Sequence, residues 1–573
     1  MDTQGAVETA RLDLAAWRNA ASANDFDADR FFQRVLRRLL GERSRQVEAR
    51  CRALADDTGE EFAAWVAESN RDENLPVLRR HDPDGRPLEE VAFHPDYHRV
   101  GRTFWASGVL ALLAEPGHEV ECGALAYVLD RHGEAGHACP VACTAGAIKL
   151  LQNVGSEDQR QRYLPALLER DYDRRLHAAQ FVTEVQGGSD VGLNACRAVP
   201  EPGRPGWFRL SGEKWFCSVA DAGLFVVSAR LAEAPPGTRG LSLFLVPRML
   251  DGRPNGFVLR RLKYKLGTRS MATGEIEFDD ALGEPIGPLE GGFKNLVGIV
   301  LDTSRVHNAL AACGLMRRVQ VEASRFAERR LAFDHRVAEF PAAQEIVARI
   351  KLNAMAALAT TFRILAMTDR IGTGGGSPEL VAARRIAVMI NKYWTALAST
   401  RVARDGIEIL GGNGTIEDFS PLPRLYRDAI VIESWEGTHN TLCAQVLRDF
   451  AARGLQRPWL AELGPEIEAL THPQLEAHRV RAHLLHKGVS EEIEVLLGAD
   501  EVMAAARVRH VVDRMCRLTD WVALCQQAQW DLEHDGGRET VDALDLYALV
   551  GLERADVLSN PELVALHRRF AAH

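Results

Sequence analysis

A mostly α-helical chain with a central antiparallel β-barrel or sandwich, and an extra helical region at its C-terminal end, is the fold class the sequence predicts. Three observations predict it. Apolar residues recur at helical spacing on both sides of a middle segment. Within that segment, short strand-like runs alternate with Gly, Pro and Asp turns. Beyond residue 450 the helical pattern resumes. The expected domains are 1–178 (N-terminal helices), 179–290 (barrel), 291–450 (helical bundle) and 451–573 (C-terminal extension).

The N-terminal helices show in spacings such as Leu36, Leu39 and Leu40, and Leu110, Leu112 and Leu113. A turn signal, His81-Asp-Pro-Asp-Gly85, interrupts them. Strand-like runs then follow at Trp207–Leu210, Leu224–Val227, Leu241–Val246, Phe257–Leu259 and Glu275–Phe278. Helices return with amphipathic patterns over Val306–Leu331 and Ala342–Ile371. Gly372-Thr-Gly-Gly-Gly376 follows a helix rather than a strand and lacks a Lys-Ser/Thr ending. It reads as a turn, with Ser377 capping the next helix and Pro378 at its first position, not as a phosphate cradle. In the C-terminal extension, breaks are expected at Gly464-Pro465, Gly488 and Asp535-Gly-Gly537.

Composition excludes several classes. With 46% hydrophobic and 26% charged residues among 573, the chain reads as an ordinary soluble globular protein. The net charge of -10 gives it no general attraction to nucleic acid or anionic membranes. Residues 455–573 hold 12 Lys and Arg against 20 Asp and Glu, so most of that charge lies there. The extension's histidines, among them His472, His478, His483 and His486, read as solvated residues. No run of 18 apolar residues predicts a membrane span. The first residues lack the basic start and apolar core of a signal peptide, so a cytoplasmic location is expected. The ten cysteines are scattered. Cys139 and Cys143 lack partner ligands, so reduced thiols are expected and no metal.

Three motifs carry chemistry. Thr183-Glu-Val-Gln-Gly-Gly-Ser-Asp190 offers hydroxyls and bare backbone in a tight turn. Gly212-Glu-Lys-Trp-Phe-Cys-Ser218 offers an aromatic pair to wall a planar ring and a serine to bond a ring nitrogen. Trp435-Glu-Gly-Thr438 presents Glu436 beside a glycine; a desolvated carboxylate there would have a raised pKa and suit a base.

In this order, these motifs resemble the acyl-CoA dehydrogenase family, whose members carry a T-E-P-x-A-G-S-D turn, a G-x-K-x-W-I-T strand and a late Y-E-G-T loop. Arg330-Leu-Ala-Phe333 and Leu410-Gly-Gly-Asn-Gly414 resemble two further family segments. A closer resemblance is to the family's AidB-like branch of alkylation-response flavoproteins. It rests on His81–Tyr97, Lys214–Ser218, Leu266–Ser270 and Pro421–Arg427, and on the C-terminal helical extension.

The resemblance implies FAD as cofactor and an acyl thioester, on CoA or a carrier protein, as substrate. Thr183 and Ser189 would hold the flavin and its phosphate side. Phe216 would flank the isoalloxazine, Ser218 would bond N5, and Cys217 lies between them on the same cofactor-binding strand. Arg330 and Phe333 would reach the ADP half of an FAD bound mainly by a neighbouring subunit, which implies a homodimer or homotetramer. Gly411, Gly412, Thr438 and Asn440 would also line the FAD site. Glu436 would remove the α-proton while the β-hydride goes to N5. Some members place the base on a helix just before an arginine. Here Ser304 precedes Arg305, which favours Glu436. Val185, Gly187, Asp334, Glu408 and Thr415 depart from the family pattern, the last three near the expected adenine. Two other readings share the scaffold: a flavin monooxygenase, and a stress-response flavoprotein associated with nucleic acid. The latter would need a basic stripe, for which Arg507, Arg509, Arg514 and Arg517 are the candidates against an acidic background.

Overall fold

The barrel closes around one strand, β4 (Leu224–Leu231), whose first six residues are all buried. The computed structural model describes residues 3–22, 24–133, 135–534, 537–552 and 560–572. One compact unit comprises Glu61–Glu115 and Glu134–His307; the other comprises Met1–Glu60, Pro116–Gly133 and Asn308–His573.

The first unit holds the barrel. Its other strands are β1 (Ala178–Phe181), β2 (Arg197–Pro200), β3 (Phe208–Ser218), β5 (Leu241–Pro247), β6 (Phe257–Leu262) and β7 (Thr273–Pro285). Pairing runs β7–β3–β2–β4–β5 and returns to β7, which closes the circuit. β6 pairs with β7 outside the circuit. β1 and β2 run parallel to β4; every other pair in this sheet is antiparallel. Inside, Phe225 packs on Phe181 (ring centroids 4.7 Å apart) and edge-on to Phe257 (5.7 Å). Four of the five expected strand runs lie within these strands, and the fifth, Trp207–Leu210, enters β3 one residue late, at Phe208. The sequence did not flag β1 and β2, whose four residues are too few to show an alternation. His81-Asp-Pro-Asp-Gly85 is a hairpin tip rather than a break between helices. It joins strands Val77–His81 and Pro87–Ala92, and Asp82 Oδ1 accepts from the Asp84 and Arg86 backbone N–H groups.

The second unit is helical. It is built on α1 (Leu301–Arg329), α2 (Pro341–Arg370), α3 (Pro378–Leu410), α4 (Leu422–Ser434), α5 (His439–Arg453), α6 (Glu476–Gly498), α7 (Glu501–His534) and α8 (Glu539–Tyr547). α1 and α2 coincide closely with the two amphipathic stretches in the sequence. Ser377 caps α3 as expected, accepting from Leu380 N at 3.1 Å, with Pro378 in the first turn. Pro341–Gly375 is long and apolar enough to cross a membrane, yet 89% of its most apolar window is buried, so it serves as a core helix.

The C-terminal extension packs into this unit rather than standing apart from it. Trp521 on α7 is fully buried and donates from Nε1 to the His478 carbonyl at 3.1 Å. One residue back, Asp520 accepts from Thr360 on α2 (2.7 Å), Trp394 on α3 (2.7 Å) and Tyr547 on α8 (3.0 Å). Burial pushes its carboxyl up to about 6, against the opposing pull of those three donors.

Two expected breaks do not occur. The helix Gln456–Glu468 runs through Gly464-Pro465, because Trp459, Leu463 and Ile467 bury one stripe. That packing outweighs a proline cost of roughly 3 kcal/mol. Gly488 lies inside α6, where a Cβ would come within 3.4 Å of Arg514 on α7. The Asp535-Gly-Gly537 signal falls partly outside the described residues. His478 is buried rather than solvated, and His486 Nε2 lies 3.0 Å from the Leu460 carbonyl.

Trp521→Ala is expected to destabilise the helical unit by about 3–5 kcal/mol, the range for deleting a fully buried aromatic. Chemical denaturation followed by far-UV circular dichroism checks this.

Candidate functional site

Successive side chains of a pleated strand face opposite ways, and a register shift in β3 between Lys214 and Cys217 lets both of those turn inward while Phe216 faces out. Phe216 points outward and is 53% exposed, with Ser218 half-buried two residues on. Lys263 sits beside this face, its Nζ 3.4 Å from the Trp215 ring centroid and 5.0 Å from that of Phe216. Cys217 turns the other way and has no exposed surface. Burial pushes its thiol up to about 12. The expected role of Cys217 in a cofactor site therefore does not extend to its side chain.

The turn at 183–190 is bolted to this strand. The Thr183 carbonyl accepts from Trp215 N at 2.9 Å. Beside it, Glu184 and Lys214 form an ion pair at 2.7 Å, with side chains 3% and 0% exposed. Glu184 also accepts from the backbone N–H groups of Ala195 (2.5 Å) and Cys196 (3.2 Å), and Lys214 donates to Ser228 Oγ (3.1 Å). Every strong partner is satisfied, which is the condition for keeping a charge pair inside a protein. Thr183 is half-buried at the base of the turn; Gly188, Ser189 and Asp190 are exposed at its tip. A Cβ on Gly188 would lie 3.1 Å from the Thr183 methyl carbon, so the bare backbone sits close against that side chain. Thr183, Ser189, Phe216 and Ser218 are thus carried on two elements joined directly to each other.

Glu436 is built differently. It is half-buried and stands at φ +56, followed by Gly437 at φ +106. A left-handed backbone at a non-glycine residue costs about 1–3 kcal/mol and persists only when its surroundings impose it. Here the imposing group is Lys392 of α3, fully buried, whose Nζ donates to the Glu433 and Gly437 carbonyls, both at 3.0 Å. These two carbonyls bracket Glu436. Thr438, whose Oγ1 is 3.0 Å from that of Thr441, precedes α5, and Asn440 sits exposed in the first turn of that helix. His439 lies between them, edge-on to Tyr393 with centroids 5.0 Å apart. Its Nε2 is 3.6 Å from Glu433, too far for a hydrogen bond. Burial first, then Lys392, Arg509 and Arg401, bring His439 down to about 4, so it is neutral near pH 7.

The remaining expected residues lie elsewhere in the helical unit. Gly411 and Gly412 end α3 and are exposed, about 27 Å further along that helix than Lys392 at roughly 1.5 Å per residue. Phe333 forms the tip of the two-strand hairpin Leu331–Ala332 and His335–Arg336, 90% exposed and at φ +51, with Arg330 half-buried just before it. Lys392 holds the Glu436 loop, so Gly411 and Gly412 stand well away from that loop along α3. Ser304 offers no substitute for the carboxylate: it is buried, 3.3 Å from the Gln180 side-chain nitrogen.

Sequence reasoning missed Lys214, Lys392 and His439. The signal for Lys392 was present: a lone cation in the apolar run Ile386-Ala-Val-Met-Ile390-Asn-Lys-Tyr393. Such a residue must find acceptors inside the fold.

Comparison with known proteins gives three domain matches in succession. They are an adaptive response protein AidB N-terminal domain over residues 17–174, an acyl-CoA dehydrogenase middle domain over 179–281, and an acyl-CoA dehydrogenase C-terminal domain over 290–450. The AidB protein of Escherichia coli (strain K12) is 35% identical over 389 residues, covering 65% of this chain and 69% of that protein. Acyl-CoA dehydrogenase family member 11 of Caenorhabditis elegans is 30% identical over 449 residues, covering 75% and 71%. The crystal structure of Caenorhabditis elegans ACDH-11 in complex with C11-CoA has the same fold. Its TM-score is 0.82 at 24% identity, over 96% of this chain and 91% of that one.

Two outcomes follow from the geometry. Lys214→Met strands the Glu184 carboxylate and is expected to cost about 3–5 kcal/mol, read as a lowered midpoint of thermal unfolding. Pairing it with Glu184→Gln should recover much of the loss. For His439, the unfolded chain binds a proton below its ordinary 6.5, whereas the folded protein refuses it until about 4. Stability from this group is therefore full above pH 6.5 and falls as the pH drops through that window. His439→Gln should flatten that part of the slope in urea unfolding across pH 4 to 7.

Proposed function

The chain belongs to the acyl-CoA dehydrogenase family of flavoenzyme oxidoreductases, and from that premise we propose that it binds FAD and dehydrogenates an acyl thioester at the α,β position. Glu436 is the base. The observation that carries this reading is the loop itself: a carboxylate residue in a left-handed backbone, bracketed by two carbonyls that a buried lysine grips.

The donor set fits FAD. An outward aromatic ring (Phe216) and a hydroxyl (Ser218) share one strand face, and the adjoining turn adds Thr183, Ser189 and the bare backbone of Gly188. When bound, FAD supplies the hydride acceptor. The chain's own part is proton transfer and positioning. The α-proton of the thioester moves to a Glu436 carboxylate oxygen, and the α C–H electron pair becomes the α,β double bond as the β-hydride departs. Neither C–H bond breaks readily alone, so fixed geometry is what couples the two. A general base contributes about 10²–10⁴-fold.

We further propose a homo-oligomer, dimer or tetramer, in which Arg330 and Phe333 serve a flavin held by a second copy. The almost bare Phe333 ring supports this, as does the distance of Gly411 and Gly412 from the Glu436 loop. In the candidate stripe of the nucleic-acid reading, Arg509 donates to Tyr393 and Arg514 pairs with Glu492, so these two side chains already have partners inside the chain.

Glu436→Gln should remain yellow and lose about 10²–10⁴-fold in the rate of anaerobic flavin bleaching by a panel of acyl-CoAs. Bleaching at the unmutated rate places the base elsewhere; a colourless protein that refuses FAD removes the flavoenzyme reading. Phe333→Ser should weaken FAD retention by about tenfold or more, the scale of exposing a large apolar ring. Ultrafiltration of the holoenzyme measures this, and sedimentation reports the subunit count alongside.

A further inference from the structure

We propose that the C-terminal helical extension is a positioning element for the Glu436 loop, acting through the single turn of α3 that carries Lys392. This deepens the reading of Glu436 as the base and rests on it.

The inference begins with spacing. Arg509, Asp513, Cys516 and Asp520 recur at intervals of four, three and four along α7, which puts them on one helix face. Each is bonded to α3 within residues 390–394. Arg509 Nε donates to Tyr393 Oη at 3.2 Å, and that hydroxyl donates to Asp513 Oδ1 at 2.5 Å. Cys516 Sγ lies 3.5 Å from the Ile390 carbonyl, and Asp520 accepts from Trp394 Nε1 at 2.7 Å. This polar stripe of the extension thus closes around the turn that presents Lys392.

On the other side of that turn is the loop. Lys392 holds the Glu433 and Gly437 carbonyls, and the Tyr393 ring stands edge-on against His439, three residues after Glu436. Tyr393 therefore touches the extension with its hydroxyl and the loop with its ring. Long aromatic and lysine side chains have several rotamers, and fixing them costs entropy unless both ends are engaged. α7 supplies the second end. The extension's net acidity fits this role, since Asp513 and Asp520 are spent on donors of α3 rather than on solvent.

The test uses the full chain and two variants that weaken this contact while keeping shape: Tyr393→Phe, which removes both bonds made by the hydroxyl, and Asp513→Asn, which takes the charge off its acceptor. Arg514→Ala is the control; it breaks an ion pair with Glu492 inside the extension and leaves α3 alone. Amide hydrogen exchange of residues 431–445 is measured on ligand-free protein. The proposal expects exchange there to quicken by about tenfold in both variants and to stay unchanged in the control, the scale of losing one charge-assisted bond. In the FAD-loaded protein the limiting rate of bleaching should fall while half-saturation by acyl-CoA holds, a split that general loss of stability does not produce. Unchanged exchange in both variants overturns the proposal, as does an equal rise in Arg514→Ala. If Glu436→Gln bleaches normally but the loop still loosens in Tyr393→Phe, the support role stands and the base assignment falls. If Glu436→Gln is inactive and the loop does not loosen, the base stands and the support role falls.

Discussion

A buried ammonium group must spend its hydrogen bonds inside the protein, and Lys392 spends two of them on the carbonyls that flank Glu436. That requirement holds the loop. With Glu433 and Gly437 both held, the three residues between them, Glu436 included, have little backbone freedom left. The left-handed conformation Glu436 adopts is not one its side chain favours. The glycine after it, at φ +106, lets the chain turn back into α5 at once. A carboxylate in such a loop cannot drift without breaking bonds to a buried charge.

The barrel unit relies on the same principle. Lys214 reaches from β3 under the turn at 183–190 and meets Glu184, which two further backbone donors complete. By area or Coulomb arguments such a pair adds little net stability, because both ions were desolvated to make it. What it fixes is place: the turn's hydroxyls and bare backbone beside the outward ring of Phe216. In both units the groups suited to a ligand are exposed or half-buried, and a buried lysine directly behind holds them.

Much of this was legible in the sequence because it depends on short-range pattern. α1 and α2 follow from amphipathic spacing, the Ser377 cap from a serine before a proline, and the long barrel strands from their apolar runs. The three motifs also survive as local structures. Partners distant in sequence were not legible. Nothing near Cys217 announces that its thiol faces the barrel interior; that depends on which way the pleat of β3 is turned. The Gly464-Pro465 signal was real but weaker than the stripe of Trp459, Leu463 and Ile467 that buries the helix. Nor was it legible that Arg509 and Arg514 of α7 would find Tyr393 and Glu492 as partners.

The most direct measurement is solvent-deuterium exchange into the α-carbon of an acyl-CoA, followed by mass spectrometry, in Lys392→Met beside the unmutated holoenzyme. It reports proton removal alone and leaves the Glu436 carboxylate in the chain. If Lys392 sets the position of the base, exchange falls by about 10²-fold or more while FAD stays bound, the penalty for misplacing a reacting group by about an ångström. Exchange at the unmutated rate would contradict the account.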